Sequence, residues 1–364
     1  MNADVLVVGG GPAGAAAALT LARHTQWRVV VVDRGEQTGP RVGESVGPAV
    51  LAQLRFLGAE SAFAKGGHCR SWSTAAAWGS NEVVSRESIL AAYGAGWQLD
   101  RAHFDASLLQ QAEDSGAVVV RGLQVTGAER DVVSREWTLA ATGAGAGATQ
   151  VLRGRAVIDA TGRGGALSRR VGCRGPRGDR LTAVVGFMSA AKGRDSVGVF
   201  VESVPDGWWY TAPLPSGGMV AAFFSDADLL RGARVTTTAG WIGALRRAPR
   251  TAQRTADRVP LTSLAVRPAQ TRWCDALALG WLAAGDAAAA FDPLSGMGVG
   301  FALHTGILAA RVADEELRDG TAMRAEYCRG LESTVRECRV RAAALYDVER
   351  RWPTPFWRRR QVTG

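Results

Sequence analysis

The feature that most restricts this chain is a glycine-rich turn set between a short apolar strand and an alanine-rich helix. Val5 to Val8 is a continuous apolar run of the kind a parallel strand buried on both faces requires. Gly9-Gly10-Gly11-Pro12-Ala13-Gly14 follows and opens a helix that ends near Arg23. Arg28 to Val32 reads as the next strand, closed by Asp33 with Arg34 beside it. In this Gly-x-Gly-x-x-Gly spacing Gly9 permits the tight turn, Gly11 lets the backbone approach a pyrophosphate, and Gly14 lets helix and strand pack closely. The helix N-terminus behind Pro12 and Ala13 then faces phosphate charge, and Asp33 stands where an adenosine ribose hydroxyl would need an acceptor. The pattern predicts a dinucleotide-binding unit.

Further along, two apolar strands each run into an acid and a glycine: Val157-Ile158-Asp159-Ala160-Thr161-Gly162-Arg163 and Leu282-Ala283-Ala284-Gly285-Asp286. Just beyond lies Asp292-Pro293-Leu294-Ser295-Gly296-Met297-Gly298-Val299-Gly300. A helix starting near Val299 would aim its positive end at whatever anionic edge a ligand presents there. These stretches resemble the signatures of the flavin-dependent hydroxylases related to p-hydroxybenzoate hydroxylase. The resemblance implies FAD as cofactor, with Asp286 on its ribityl or ribose hydroxyls and Asp159, Gly162 and Gly285 as further cofactor-binding residues. It implies that Pro293, Gly296, Met297, Gly298 and Val299 wrap the flavin ring. Gly96 to Arg101, with Phe104-Asp105, resembles the family's arginine-bearing helix start, which puts Arg101 near the phosphates or adenine.

Arg41-Val42-Gly43-Glu44-Ser45 and Gly207-Trp208-Trp209-Tyr210-Thr211-Ala212-Pro213 narrow the resemblance. They look like the halogenase-like branch, which includes flavin-dependent halogenases and the flavoproteins that mature tryptophylquinone enzymes. Arg41, Gly43, Glu44 and Ser45 become cofactor candidates on this basis, and Glu44, Ser45 and His68 catalytic ones. Trp78, Trp208, Trp209 and Tyr210 are candidate substrate residues, although strand alternation sends Trp208 and Tyr210 to one face and Trp209 to the other. The halogenase tryptophan signature is incomplete here. No lysine lies between Lys65 and Lys192, so the halogenase lysine that carries hypochlorous acid has no evident match.

The expected fold is α/β: a Rossmann-like FAD domain with a parallel sheet, an inserted antiparallel-sheet substrate domain, and C-terminal helices. Segments 1–80, 101–180 and 271–320 are assigned to the FAD domain, 81–100 and 181–270 to the substrate domain, and 321–364 to a helical tail. The resemblance implies a monooxygenase that hydroxylates an electron-rich aromatic, an indole or phenol, through a flavin C4a-hydroperoxide. Halogenation is the first alternative, followed by a flavin dehydrogenase or reductase and a non-catalytic maturation flavoprotein. NAD(P)H or a partner flavin reductase would supply electrons, and a short tail would leave room for a peptide-borne or carrier-borne substrate.

Other classes find little support. The net charge of +9 over 364 residues is almost entirely arginine, spread along the chain and dense only at Arg350, Arg351, Arg358, Arg359 and Arg360. No nucleic-acid motif accompanies it, so an acidic protein partner or an anionic cofactor is the expectation, and nucleic acid is not. No apolar stretch reaches the roughly 20 residues of a membrane span, and no leader pattern precedes Asp4, which predicts a cytoplasmic protein. The five cysteines are scattered and expected to be reduced; neither they nor the four histidines show metal spacing. Gly43-Glu44-Ser45-Val46-Gly47 matches a hydrolase nucleophile elbow, but that elbow needs a strand directly before it, and Gly35 to Gly39 reads as loop.

Overall fold

The computed structural model describes residues 1–35, 42–87, 94–143, 149–170, 179–191, 198–261, 263–274 and 280–361. Arg41 and Lys192 lie outside them.

The apolar run at the start becomes the strand Asn2–Val8, at the centre of a seven-stranded sheet. It pairs in parallel with Val29–Asp33 on one side and Gln150–Asp159 on the other. Val118–Arg121 and Trp281–Ala283 extend the parallel part. Leu123–Arg130 and Trp137–Gly143 add an antiparallel edge. The helix Pro12–His24 owes its depth to its alanines: Ala13 to Leu21 are all buried, and such small side chains let a second helix come close. That partner is Gly298–Leu317, where a methyl group on Gly306 would sit 2.3 Å from the Ala13 carbonyl oxygen. The glycine is what permits the crossing.

A second seven-stranded sheet runs Ala265–Pro268, Leu181–Met188, Met219–Asp226, Gly207–Pro213, Gly198–Val204, Ser73–Ala77 and Val84–Glu87. Alternation divides its faces as the sequence predicts. Val184, Trp209 and Phe223 pack with Trp241 and Leu245 on one side. Ala183, Val185, Trp208, Ala222 and Phe224 belong to the other, where they meet Tyr346, Phe356 and Trp357. Those last three come from the helices Ala322–Val348 and Pro355–Arg358, so the chain's end is part of the core of this sheet. Phe356 and Trp357 are fully buried, which is worth roughly 3 kcal/mol for a side chain of Phe size.

A separate small sheet pairs Gly96–Gln98 with Ser45–Val46 and Cys69–Ser71. Cys69, Cys328 and Cys338 are free, whereas Cys274 is disulfide-bonded, which corrects the expectation that every cysteine is reduced. Among the described residues no helix is long and apolar enough to cross a membrane.

Candidate functional site

A cavity of about 380 Å³ opens where the glycine turn, the Pro293 to Val299 loop and the second sheet converge. Gly11, Pro12 and Ala13 form one wall, and Gly162, Arg163, Asp286, Pro293 and Gly296 to Val299 continue it. The three glycines of the turn separate cleanly in role. A Cβ on Gly9 would lie 2.4 Å from the Ala160 carbonyl oxygen, at a φ of +107° that suits glycine alone. One on Gly14 would lie 1.8 Å from the Gly9 carbonyl oxygen, but one on Gly11 would meet nothing within 4 Å. The first and third glycines are therefore needed by the fold, and the second leaves room for a ligand. Gly296, Gly298 and Gly300 face equally open space at the start of the helix Gly298–Leu317. Two glycine-lined helix starts on one cavity make a cradle suited to the phosphates and ring of a dinucleotide.

Arginine and acid pairs stiffen the cradle. Arg163 Nε lies 3.2 Å from Asp286 Oδ2, and its other nitrogens donate to the Gln270 and Phe291 carbonyls at 2.9 and 2.8 Å. Arg101 forks onto Asp105 with two bonds of 3.0 Å and donates to the Val42 and Gly43 carbonyls at 2.8 and 3.1 Å. Its charge is thus largely spent on holding the 42–44 loop to the helix Arg101–Asp114. Glu44, delivered by that loop, lines the cavity at 1% exposure, and neither carboxylate oxygen has a hydrogen-bond partner. Burial pushes this carboxyl up to about 7, with nearby backbone amides and Arg101 pulling it partway back. Ser45 also lines the cavity, and its hydroxyl accepts from Gln98 Nε2 at 3.2 Å.

The second sheet supplies the opposite wall. Ala183, Val185 and Ala222 are small enough to leave space, and Trp208, Tyr210 and Phe224 frame it. Trp208 and Phe224 stack at 3.9 Å with ring planes 10° apart. Trp208 Nε1 donates to the Tyr346 hydroxyl at 3.2 Å, and that hydroxyl donates to Asp292 Oδ2 at 2.8 Å. Asp292 Oδ1 accepts from the Leu294 amide at 2.9 Å, so one relay ties the aromatic wall to the Pro293 loop through the C-terminal helix. Burial pushes Asp292 up to about 6.

Several expected residues stand elsewhere. His68 lies outside this cavity, tilted against Phe63 with ring centroids 4.8 Å apart and its Nδ1 accepting from the Asp100 amide; the aromatic cluster of Phe63 and Phe104 has captured it. Trp209 faces Phe223 and Trp241 on the far side of the sheet. Trp78 packs edge-on against Trp208, Tyr346 and Trp357 and donates to the Leu345 carbonyl at 2.7 Å, behind the cavity wall. Asp159 is buried and spends its oxygens on Thr161 and the Ser168 amide, shaping the turn after its strand. Asp33 accepts from the Gly10 and Gly35 amides, Arg34 beside it is exposed, and Gly285 packs against Ala13 and donates to Thr305. Arg41 is outside the described residues.

Sequence reasoning missed Ala183, Val185, Ala222 and Phe224; their period-two spacing gives the face but not what the face meets. In the sequence Asp292 opens the Pro293 segment without a role of its own, and the arginine-rich charge, dense at the tail, points to an acidic partner or an anionic cofactor. Arg359 and Arg360 instead pair with Asp226, Arg359 also with Asp228, Arg351 with Glu349, and Arg350 with Asp347.

Comparison with known proteins agrees with this geometry. The FAD binding domain family model matches residues 2–345. A protein of Marinomonas mediterranea named as an FAD-dependent oxidoreductase, LodB, is 32% identical over 99% of this chain and 97% of its own length. The solved structure of QhpG, a peptidyl tryptophan dihydroxylase essential for tryptophylquinone cofactor biogenesis, is 25% identical with a TM-score of 0.79, covering all of this chain and 80% of its own. That of CmlS, a flavin-dependent halogenase, shares the fold at a TM-score of 0.87 and 22% identity, over all of this chain and 68% of its own. The chain belongs to the FAD binding domain family, as a flavin-dependent oxidoreductase whose cofactor is FAD.

Proposed function

We propose that this enzyme hydroxylates an electron-rich aromatic ring, an indole or phenol, held against the wall of Trp208, Tyr210 and Phe224. The observation that carries the reading is the continuity of one cavity from the glycine cradle to that aromatic wall. Gly11 and Pro12 would admit the pyrophosphate, Asp33 the adenosine ribose, Asp286 a ribityl hydroxyl, and Met297 to Val299 the ring's pyrimidine edge. FAD, when bound and reduced, supplies the electrons that activate oxygen. The chain's own contribution is orientation and dryness. Trp208 and Phe224 offer a flat apolar surface for a ring, Ala183 and Ala222 the space to seat it, and the C-terminal helices cover the rest of that same face against water.

Hydroxylation is favoured over halogenation because no lysine lines the cavity among the described residues; Lys65 is exposed, on a helix outside it. The QhpG likeness supports a substrate borne on a peptide, and the paired arginine tail does not. Electrons come from NAD(P)H or from a partner flavin reductase, which anaerobic reduction with each nucleotide separates. The decisive experiment supplies reduced enzyme with labelled oxygen gas and free or peptidyl tryptophan, indole and phenol. One labelled atom in the product is expected, and no halogenated product with chloride or bromide. Label entering from water only, or peroxide as the sole oxygen product with every ring, would overturn the reading.

A further inference from the structure

Among the described residues that line this cavity, Glu44 is a fully buried polar side chain without a hydrogen-bond partner. Its carboxylate is buried at 1% exposure, neither oxygen has a partner in hydrogen-bond geometry among the described residues, the backbone amides of Gly43 and Glu44 come near it, and it stands in the cavity lining with Tyr210 and Trp208. A buried carboxylate with no donor is costly, and native structures keep one where something outside the chain completes it. Arg101 is not that donor: its guanidinium is committed to Asp105 and to the Val42 and Gly43 carbonyls. Tyr210 is close enough for the Glu44 charge to oppose its ionisation, and burial opposes it further, so its phenol stays protonated. Ala183, Val185, Ala222 and Phe224 make the rest of this wall apolar, with the exposed Arg267 at its edge.

Resting on the aromatic-substrate reading above, we propose that Glu44 selects substrates carrying a ring N–H or O–H, by accepting that hydrogen bond beside Tyr210. An indole or a phenol completes the carboxylate, whereas an aromatic of the same shape without the donor leaves it stranded and bears that desolvation cost. A carboxylate placed against ionised Glu44 in the same buried spot is repelled, so the ring donor and not an acid group is what this position selects. Selection of this kind is stronger than a shape-matched apolar pocket provides, since the penalty falls on the group left unpaired.

Indole and benzofuran test this directly, being nearly isosteric and differing in the N–H that one carries and the other lacks. Titrated into the oxidised FAD-loaded protein and followed by the flavin absorbance change and by calorimetry, indole is expected to bind about tenfold to a hundredfold more tightly. Glu44→Leu should erase the difference, and Glu44→Gln, which keeps a carbonyl acceptor, should retain part of it. Equal binding of the two in the wild-type protein, or a preference that survives Glu44→Leu, overturns the proposal and leaves the aromatic-substrate reading standing. Equal binding together with a flavin spectrum shifted by Glu44→Leu overturns it too, by giving the carboxylate to the cofactor. Binding of neither compound overturns both.

Discussion

Two walls of one cavity are built in opposite ways. The cradle wall comes from Gly9, Gly11 and Gly14, close neighbours in the chain, and what it offers a ligand is backbone and empty space. The aromatic wall draws on Glu44, Trp208, Phe224 and Asp292, brought together by the second sheet, two loops and a C-terminal helix, and what it offers is side chains. A site made of backbone has to be written locally, because only glycine at fixed spacing makes the turn. A site made of side chains can take each one from anywhere in the chain. The difference should show in how mutations act: on the cradle wall through space, on the aromatic wall through hydrogen bonds and charge.

The largest effect separates the glycines themselves. Gly14→Ala drives a methyl group into the Gly9 carbonyl and should cost more than about 4 kcal/mol in denaturant unfolding, with FAD lost as a consequence. Gly11→Ala meets open space; its stability should change by less than about 1 kcal/mol, while FAD retention after gel filtration falls at least about tenfold. Retention of FAD by folded Gly11→Ala protein would break the comparison, since that space would then not be the ligand's.

On the other wall charge is the lever. The Glu44 carboxyl rises from an ordinary 4.5 to about 7 in the folded chain, so below pH 4.5 it is neutral in both states and carries no penalty. Between pH 4.5 and 7 the unfolded chain ionises this carboxyl while the folded one holds it protonated, so the stability present at low pH is lost across that window and is gone above 7. Glu44→Gln in flavin-free protein should therefore gain about 3 kcal/mol over wild type at pH 8, and nothing at pH 4. A gain that does not depend on pH would assign the effect to packing.

Tyr346→Phe comes next. It strands Trp208 Nε1 and frees the buried Asp292 oxygen, at a cost of about 1–3 kcal/mol by urea unfolding, with FAD still bound. Simultaneous loss of flavin would show that the relay also holds the Pro293 loop in place. Smallest of all is Arg359→Ala. Asp226 keeps its bond to Arg360, and Arg359 is well exposed, so thermal unfolding should move by no more than about 0.5 kcal/mol.

The parallel strands, both glycine-rich helix starts and the alternation that parts Trp208 from Trp209 were legible in the sequence, because each is a local steric demand. The Rossmann turn could be read residue by residue, down to Gly11 as the position with room to spare. His68 and Asp159 could not be read this way. Each sits in a stretch that resembles a site, and whether a polar group faces a cavity or is consumed by its neighbours depends on what packs against it. Phe63 and Phe104 claim the one, Thr161 and Ser168 the other.

The tail shows the same division from the other direction. Five arginines near the C-terminus look like a free basic patch when only their spacing is known, and in the fold the acids of distant strands and of the tail itself neutralise four of them. Sequence alone determined the dinucleotide turn, the strand faces and the family, since backbone geometry admits few residue choices. Tertiary structure alone decided that Glu44 ends unpartnered beside Tyr210, that Tyr346 joins the two walls, and that Ala183 and Ala222 hollow out the space between them. Those facts depend on burial and on who the neighbours are, and neither quantity exists until the chain has closed on itself.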